Sequence, residues 1–276
     1  MTRLTLGFFA IMGCQMFLGC RFRMILILAG GDLNAIMGLC GFVAGIVCGV
    51  IYLKNGYSLK RTYKLSPSEG FVLPAAVMVL LILLIAVPSI LLFTEEGGGP
   101  GVKHAALIIS LLAGLIVGAL AQRTRLCMVG GIRDAILFKE FKLLFGFAAI
   151  FVAALVMNLI FTAATPGTYF HLAFAEQPIA HMDGIWNALG MLLTGFSCVL
   201  LGGCPLRQLI LSGEGNTDSA VTVVGLLLGA AFAHNFGLAS SAQGPTTAGK
   251  VAVVIGIIVV TLIGQFNLPA RGKVSA

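Results

Sequence analysis

Leu18-Gly19-Cys20-Arg21-Phe22-Arg23 returns late in the chain as Gly202-Gly203-Cys204-Pro205-Leu206-Arg207, with Arg three residues after Cys in both. A single offset of 184 residues carries more than this motif. Cys14 falls on Cys198, Gly31 on Gly215, Gly41 on Gly225 and Gly45 on Gly229, while Asp32 and Asn34 fall on Asn216 and Asp218. One matched cysteine is easily a coincidence. A matched set of small and polar positions marks an internal duplication.

The duplication sits in a membrane chain. Of 276 residues, 59% are hydrophobic and only 10% charged, which excludes a soluble domain of this length. A helix needs about 20 apolar residues to cross a bilayer. Eight stretches satisfy this, at roughly 4–19, 35–53, 71–93, 104–121, 143–165, 185–203, 220–238 and 250–267. Between Ala75 and Val87 there is no polar residue at all. With short loops between the spans, residues 1–276 read as one integral membrane domain.

The net charge of +7 invites a polyanion-binding reading, which its distribution rejects. If the spans alternate, all 17 Lys and Arg except Arg21, Arg23, Lys103 and Lys250 fall on one side. The opposite side carries Glu95, Glu96, Glu176 and Asp183. This is the positive-inside pattern, and it places both termini in the cytoplasm. The partner it implies is the lipid bilayer, not nucleic acid. Many of the 36 glycines recur at four-residue spacing inside spans, where small residues let helices approach closely.

The Cys20 motif follows the first span and the Cys204 motif the sixth, so the two open on opposite faces. The predicted fold is therefore all-α and polytopic, with an inverted repeat whose halves run roughly 1–60 and 185–245. Secondary transporters use such repeats to offer one site to either side in turn. The apolar runs after the two motifs, Phe22 to Ala29 and Leu206 to Leu211, are too short to cross and read as re-entrant half-helices. A third segment, Cys127-Met-Val-Gly130-Gly131-Ile-Arg133-Asp134, has the same character, with Arg six residues after Cys.

The start of a helix offers unpaired N–H groups and partial positive charge. Arg23, Arg133 and Arg207 add planar donors suited to an anion. Cys20, Cys127 and Cys204 add a soft, polarisable sulfur that a phosphate or sulfate site would not need. Together these six residues predict a path for a small soft anion of sulfur or selenium. Cys14, Cys198, Gly31, Asp32, Asn34, Gly130, Asp134, Glu214, Gly215, Asn216 and Asp218 are secondary candidates. For the acids among them, the plainer role is to cap and close turns. Cys40 and Cys48 read as packing side chains. His104, His171 and His181 read as interfacial, and His234-Asn235 with Gln243 to Thr247 as loop chemistry near an exit. There is no CxxC, no His pair at helical spacing and no phosphate loop, so neither metal nor cofactor is expected. Transport by simple passage leads. A membrane thiol transferase that loads sulfur or selenium onto Cys127, and a scaffold for another subunit, stay open.

The Cys127 to Asp134 segment, with Gly203-Cys204-Pro-Leu-Arg207 running on to Gly-Glu-Gly-Asn-Thr-Asp218, resembles the YeeE/YedE family of sulfur-compound transporters. Leu-Ala-Gly-Gly-Asp-Leu-Asn-Ala35 and Ser-Gly-Glu-Gly-Asn-Thr-Asp-Ser219 resemble its YedE-like selenium branch most closely. The resemblance implies a carrier or channel-like protein of the bacterial inner membrane for thiosulfate or a related selenium species, with Cys20, Cys127 and Cys204 along the path and Arg23, Arg133 and Arg207 near it. It also leaves room for a cytoplasmic sulfur-carrier protein. Two departures stand out. Chains of that branch begin with a further cysteine-bearing segment, and they tend to have Pro-Trp where this chain has Arg21-Phe22.

Overall fold

The computed structural model describes residues 1–59, 67–86, 105–165, 169–175, 177 and 181–269. Expectations on Lys60, Arg61, Lys64, residues 87–93, Glu95, Glu96, Lys103, His104, Glu176, Arg271 and Lys273 lie outside the described residues. Eight helical segments among those described are long and apolar enough to cross a membrane. They contain the long helices α1 (Thr2–Phe17), α3 (Asn34–Lys54), α5 (Val72–Ala86), α6 (Leu107–Thr124), α8 (Lys142–Ala164), α9 (Gly184–Leu201), α11 (Thr217–Asn235) and α12 (Thr247–Phe266). A one-turn helix, α4 (Pro67–Gly70), precedes α5. The chain is an all-α, multi-pass membrane protein.

Three short helices interrupt this series: α2 (Arg21–Ala29), α7 (Met128–Phe138) and α10 (Pro205–Gly213). Each follows a break of one design. The preceding long helix ends on a left-handed residue, Leu18 (φ 63°), Arg125 (φ 52°) or Gly202 (φ 85°). The next N–H then closes back onto the carbonyl five residues earlier: Gly19 onto Cys14, Leu126 onto Ala121 and Gly203 onto Cys198, each at 3.0 Å. This is the Schellman-type closure that satisfies a helix's last carbonyls. A cysteine follows and the short helix begins. Cys127 thus occupies the backbone position of Cys20 and Cys204, so the third segment belongs to the same long–short–long pattern. The short helices after Cys20 and Cys204 also end alike, on Gly31 (φ 96°) and Gly215 (φ 88°). Glycine tolerates this conformation without the steric cost of a Cβ.

The chain divides into two compact units. One comprises Met1–Arg61, Cys127–Leu206 and Val221–Ala276. At its centre α9, buried along most of its length, runs antiparallel to α1: Thr194 Oγ1 donates to the Ala10 carbonyl at 3.1 Å, and Met16 packs at Gly190. The flanking contacts are reciprocal. Gly41 and Gly45 of α3 meet the carbonyls of Ala188 and Leu192 on α9, while Gly225 and Gly229 of α11 meet those of Leu4 and Phe8 on α1. Each contact maps onto its counterpart by the 184-residue offset with partners exchanged, which is the signature of two-fold relation. Antiparallel α1 and α9 make the repeat an inverted one. No Cβ fits at these glycines, so the repeated small residues are what bring the backbones together.

The other unit comprises Thr62–Leu126 and Arg207–Ala220. Within it Gly70 lies against Gly215, where an added Cβ would sit 2.7 Å from the Gly215 carbonyl oxygen. Helix α5 has no buried residue, α6 only Ala121 and, in the first unit, α8 only Phe147. Their exposed faces are apolar over most of their length, with Gln122, Arg123 and Lys142 at helix ends, as helices solvated by hydrocarbon require.

Candidate thiol and anion site

The backbone breaks place Cys20 and Cys127 as N-caps of α2 and α7 in extended conformation, and Cys204 immediately before Pro205 of α10. Two of these cysteines meet. Cys127 Sγ accepts the Gly130 N–H at 3.3 Å and the Cys204 N–H at 3.5 Å. Both residues are buried, whereas Cys20 is exposed. A sulfur at a helix start, holding N–H groups from two chain segments, is fixed in position. It remains a weak donor and a soft acceptor.

A second group lies in the same compact unit. Arg21, the first residue of α2, is 3% exposed. Its Nη2 donates to Cys14 Sγ at 3.7 Å, and its guanidinium lies 5.4 Å from the centre of the Phe42 ring. Cys14 also contacts Thr194 Oγ1 at 3.7 Å. Cys198, the counterpart of Cys14 in the repeat, is fully buried on α9. Nε and Nη1 of Arg21 are buried without a hydrogen-bond partner.

The remaining sequence candidates separate by role. Arg23 packs its aliphatic stem on Gly19. Arg133 is held by the neighbouring Asp134 carboxylate through Nε and Nη2, both at 2.8 Å. Arg207 pairs with Glu214 at 3.9 Å. Asp32 and Asn34 form a turn: Asp32 Oδ1 accepts the Asn34 backbone N–H at 2.9 Å and its Nδ2 at 3.0 Å. Asn34 Nδ2 also donates to the Phe174 carbonyl at 2.7 Å. Residues 30–33 and 171–173 exchange backbone bonds beside them, and a Cβ on Gly31 would sit 2.6 Å from the His171 carbonyl oxygen. Asp32, Asn34 and Gly31 thus fasten the loop at 169–175. Gly130 serves through its N–H. Asn216 Oδ1 accepts the Ser219 N–H at 3.0 Å, and Asp218 stands in the first turn of α11. Cys40 is exposed and Cys48 half-buried on α3.

Residues 123–270 match the family described as sulphur transport. The chain belongs to the sulphur-transport family. The matched region takes in Cys127, Arg133, Cys204 and Arg207, and the first repeat with Cys20 and Arg21 precedes it. Within the family, the chain is similar to the thiosulfate transporter TsuA of Spirochaeta thermophila, at 32% identity over 112 residues. That stretch is 40% of this chain and 31% of the relative, so the chain spans under a third of the relative's length in the match. No solved structure matches.

Some of this candidate site is not legible in the sequence. Arg21, not Arg23, carries the buried guanidinium, and Thr194 joins the cysteines. Thr194 could have been found by projecting Ala10 through the repeat. His181, read as interfacial, is buried: its Nε2 lies 2.9 Å from the Met16 carbonyl and Nδ1 accepts the Asp183 N–H at 3.3 Å. It ties the start of α9 to the end of α1.

Proposed function

We propose that this chain carries a small soft sulfur- or selenium-containing anion, thiosulfate first among them, into the cytoplasm along Cys20, Cys127 and Cys204. The observation that supports the reading best is the contact between Cys127 and Cys204, which joins the starts of two short helices at a buried pair of thiols. Helix starts favour an anion, and thiols offer contacts that suit a terminal sulfur or selenium better than water does. The name of the Spirochaeta relative supports thiosulfate as cargo. Arg23, Arg133 and Arg207 supply positive potential; Arg133 and Arg207 do so from within ion pairs. Both termini face the cytoplasm of the inner membrane, and the two compact units serve as one transport domain.

The test is uptake of radiolabelled thiosulfate into proteoliposomes holding wild type or Cys127→Ser, with selenite and selenide as competitors. Uptake that the serine variant loses supports passage along the thiols, and suppression by selenium species extends the cargo to selenium. Absence of uptake, with Cys127 recovered as a persulfide or selenyl adduct, replaces transport by thiol transfer.

A further inference from the structure

We propose that Arg21 is the anion-holding residue of this protein: its guanidinium, carried by the first residue of α2, forms with the Cys14 thiol a buried site for a small oxyanion bearing a soft atom. The inference takes the identity of the anion from the transport reading, but not the existence of the site.

Among the described residues Arg21 has no carboxylate partner, in contrast to Arg133, Arg207 and Lys250. A buried charge without a counter-charge costs several kcal/mol even after relaxation. The thiol at 3.7 Å and the Phe42 ring offset only a fraction of that. The backbone makes matters worse. Arg21 is the first residue of a nine-residue helix, where the partial positive charge of the helix end opposes a cation. Its counterparts at the starts of α7 and α10 are the uncharged Met128 and Pro205, proline being the residue this position favours. Local structure therefore gives no reason for arginine here. The guanidinium is left buried with Nε and Nη1 unpartnered. An anion supplies both the missing counter-charge and an acceptor.

The shape of the donor set narrows the anion. Nε pairs with Nη2 along one edge of the planar guanidinium and Nη1 with Nη2 along another, so the edge that Cys14 leaves open can bond two oxygens of one tetrahedral group. The Cys14 thiol is a poor partner for a further hard oxygen but suits a polarisable sulfur or selenium atom. Thiosulfate and its selenium analogue have both ends; sulfate has only the first.

The experiment uses the full chain purified in detergent, with thermal unfolding followed against thiosulfate, sulfate and selenite, and thiolate absorbance read in parallel. Wild type should melt at a temperature that rises saturably with thiosulfate, and less with sulfate. Arg21→Gln should bind thiosulfate roughly 10- to 100-fold more weakly, the loss expected for charge-assisted hydrogen bonds. Without ligand it should melt no lower than wild type, because an orphan charge has gone. Arg21→Lys keeps the charge but not the fork, and should fall between the two with less discrimination against sulfate. Unchanged thiosulfate affinity in Arg21→Gln, or in Arg21→Lys should the glutamine variant not fold, overturns the site. So does a thiolate signal in wild type that vanishes in Arg21→Gln while no anion stabilises either, since a cysteine would then be the counter-ion. Arg21-dependent stabilisation by selenite or sulfate alone upholds the site and removes thiosulfate as the cargo.

Discussion

Cys204 donates its backbone N–H to the Cys127 sulfur at 3.5 Å across 77 residues of chain. The Gly130 N–H reaches the same sulfur at 3.3 Å. Cys127 is thus both a candidate contact for the anion and the partner of two N–H groups, and substitutions can separate these roles.

Cys127→Ser keeps an acceptor for both N–H groups and removes only the soft sulfur. It should fold normally and lose thiosulfate uptake. Cys127→Ala leaves two buried donors unsatisfied and should also lower stability by about 1–3 kcal/mol. Thermal unfolding beside uptake separates the two variants; equal melting temperatures would mean that the sulfur bonds contribute nothing to the fold.

Gly41→Ala and Gly225→Ala each drive a Cβ into a backbone carbonyl of a neighbouring helix, Ala188 and Leu4 respectively. Because the two sites are counterparts in the repeat, their destabilisation should be similar, at roughly 1–3 kcal/mol or more. Gly114→Ala on α6 meets nothing within 4 Å and should be neutral or gain up to about 1 kcal/mol from helix propensity. Melting curves of the three variants in detergent give the comparison.

Leu18 and Arg125 hold the left-handed conformation that Gly202 adopts without strain in the matching position. Arg125 is exposed, so Arg125→Gly loses little packing and should stabilise by about 1 kcal/mol. Gly202→Ala should cost a similar amount. A lower melting temperature for Arg125→Gly would show that its side chain contributes more than its backbone loses.

Burial pushes the Asp32 carboxyl above its ordinary value of 3.8, against the opposing effect of the two hydrogen bonds from Asn34. The folded state therefore retains this proton to higher pH than the unfolded chain does. Stability from this group is fully present below the unfolded value and is lost as pH rises through the raised one. Asp32→Asn preserves an acceptor for both Asn34 donors and cannot ionise. Its melting temperature should be at least that of wild type near pH 7, and the gap should close toward pH 4. A variant less stable at neutral pH would show that the charge itself is needed at this turn.

The eight spans, the three cysteine breaks and the repeat were legible because each rests on local chemistry. Apolar length sets a span, Gly-Cys and its neighbours set a break, and a constant offset between matched residues exposes duplication. The third break was recognised only as a relative, since its arginine is displaced. The backbone instead shows Leu126 closing onto Ala121 as Gly19 closes onto Cys14. Backbone geometry repeats there where side chains have diverged.

The choice between Arg21 and Arg23 is of another kind. Two residues apart on a helix, they point about 200° apart, and either could face the protein interior until the azimuth of α2 is known. That azimuth follows from the break at Leu18 and from the packing of α1 on α9, which also brings in Thr194 and buries His181. Sequence by itself therefore determined that this is a polytopic helical membrane protein with repeated cysteine breaks, since hydrophobic length and repeated residues are properties of the chain. Tertiary structure alone decided which thiols meet and which arginine is buried among them, because helix azimuth is set by contacts between segments far apart in the chain.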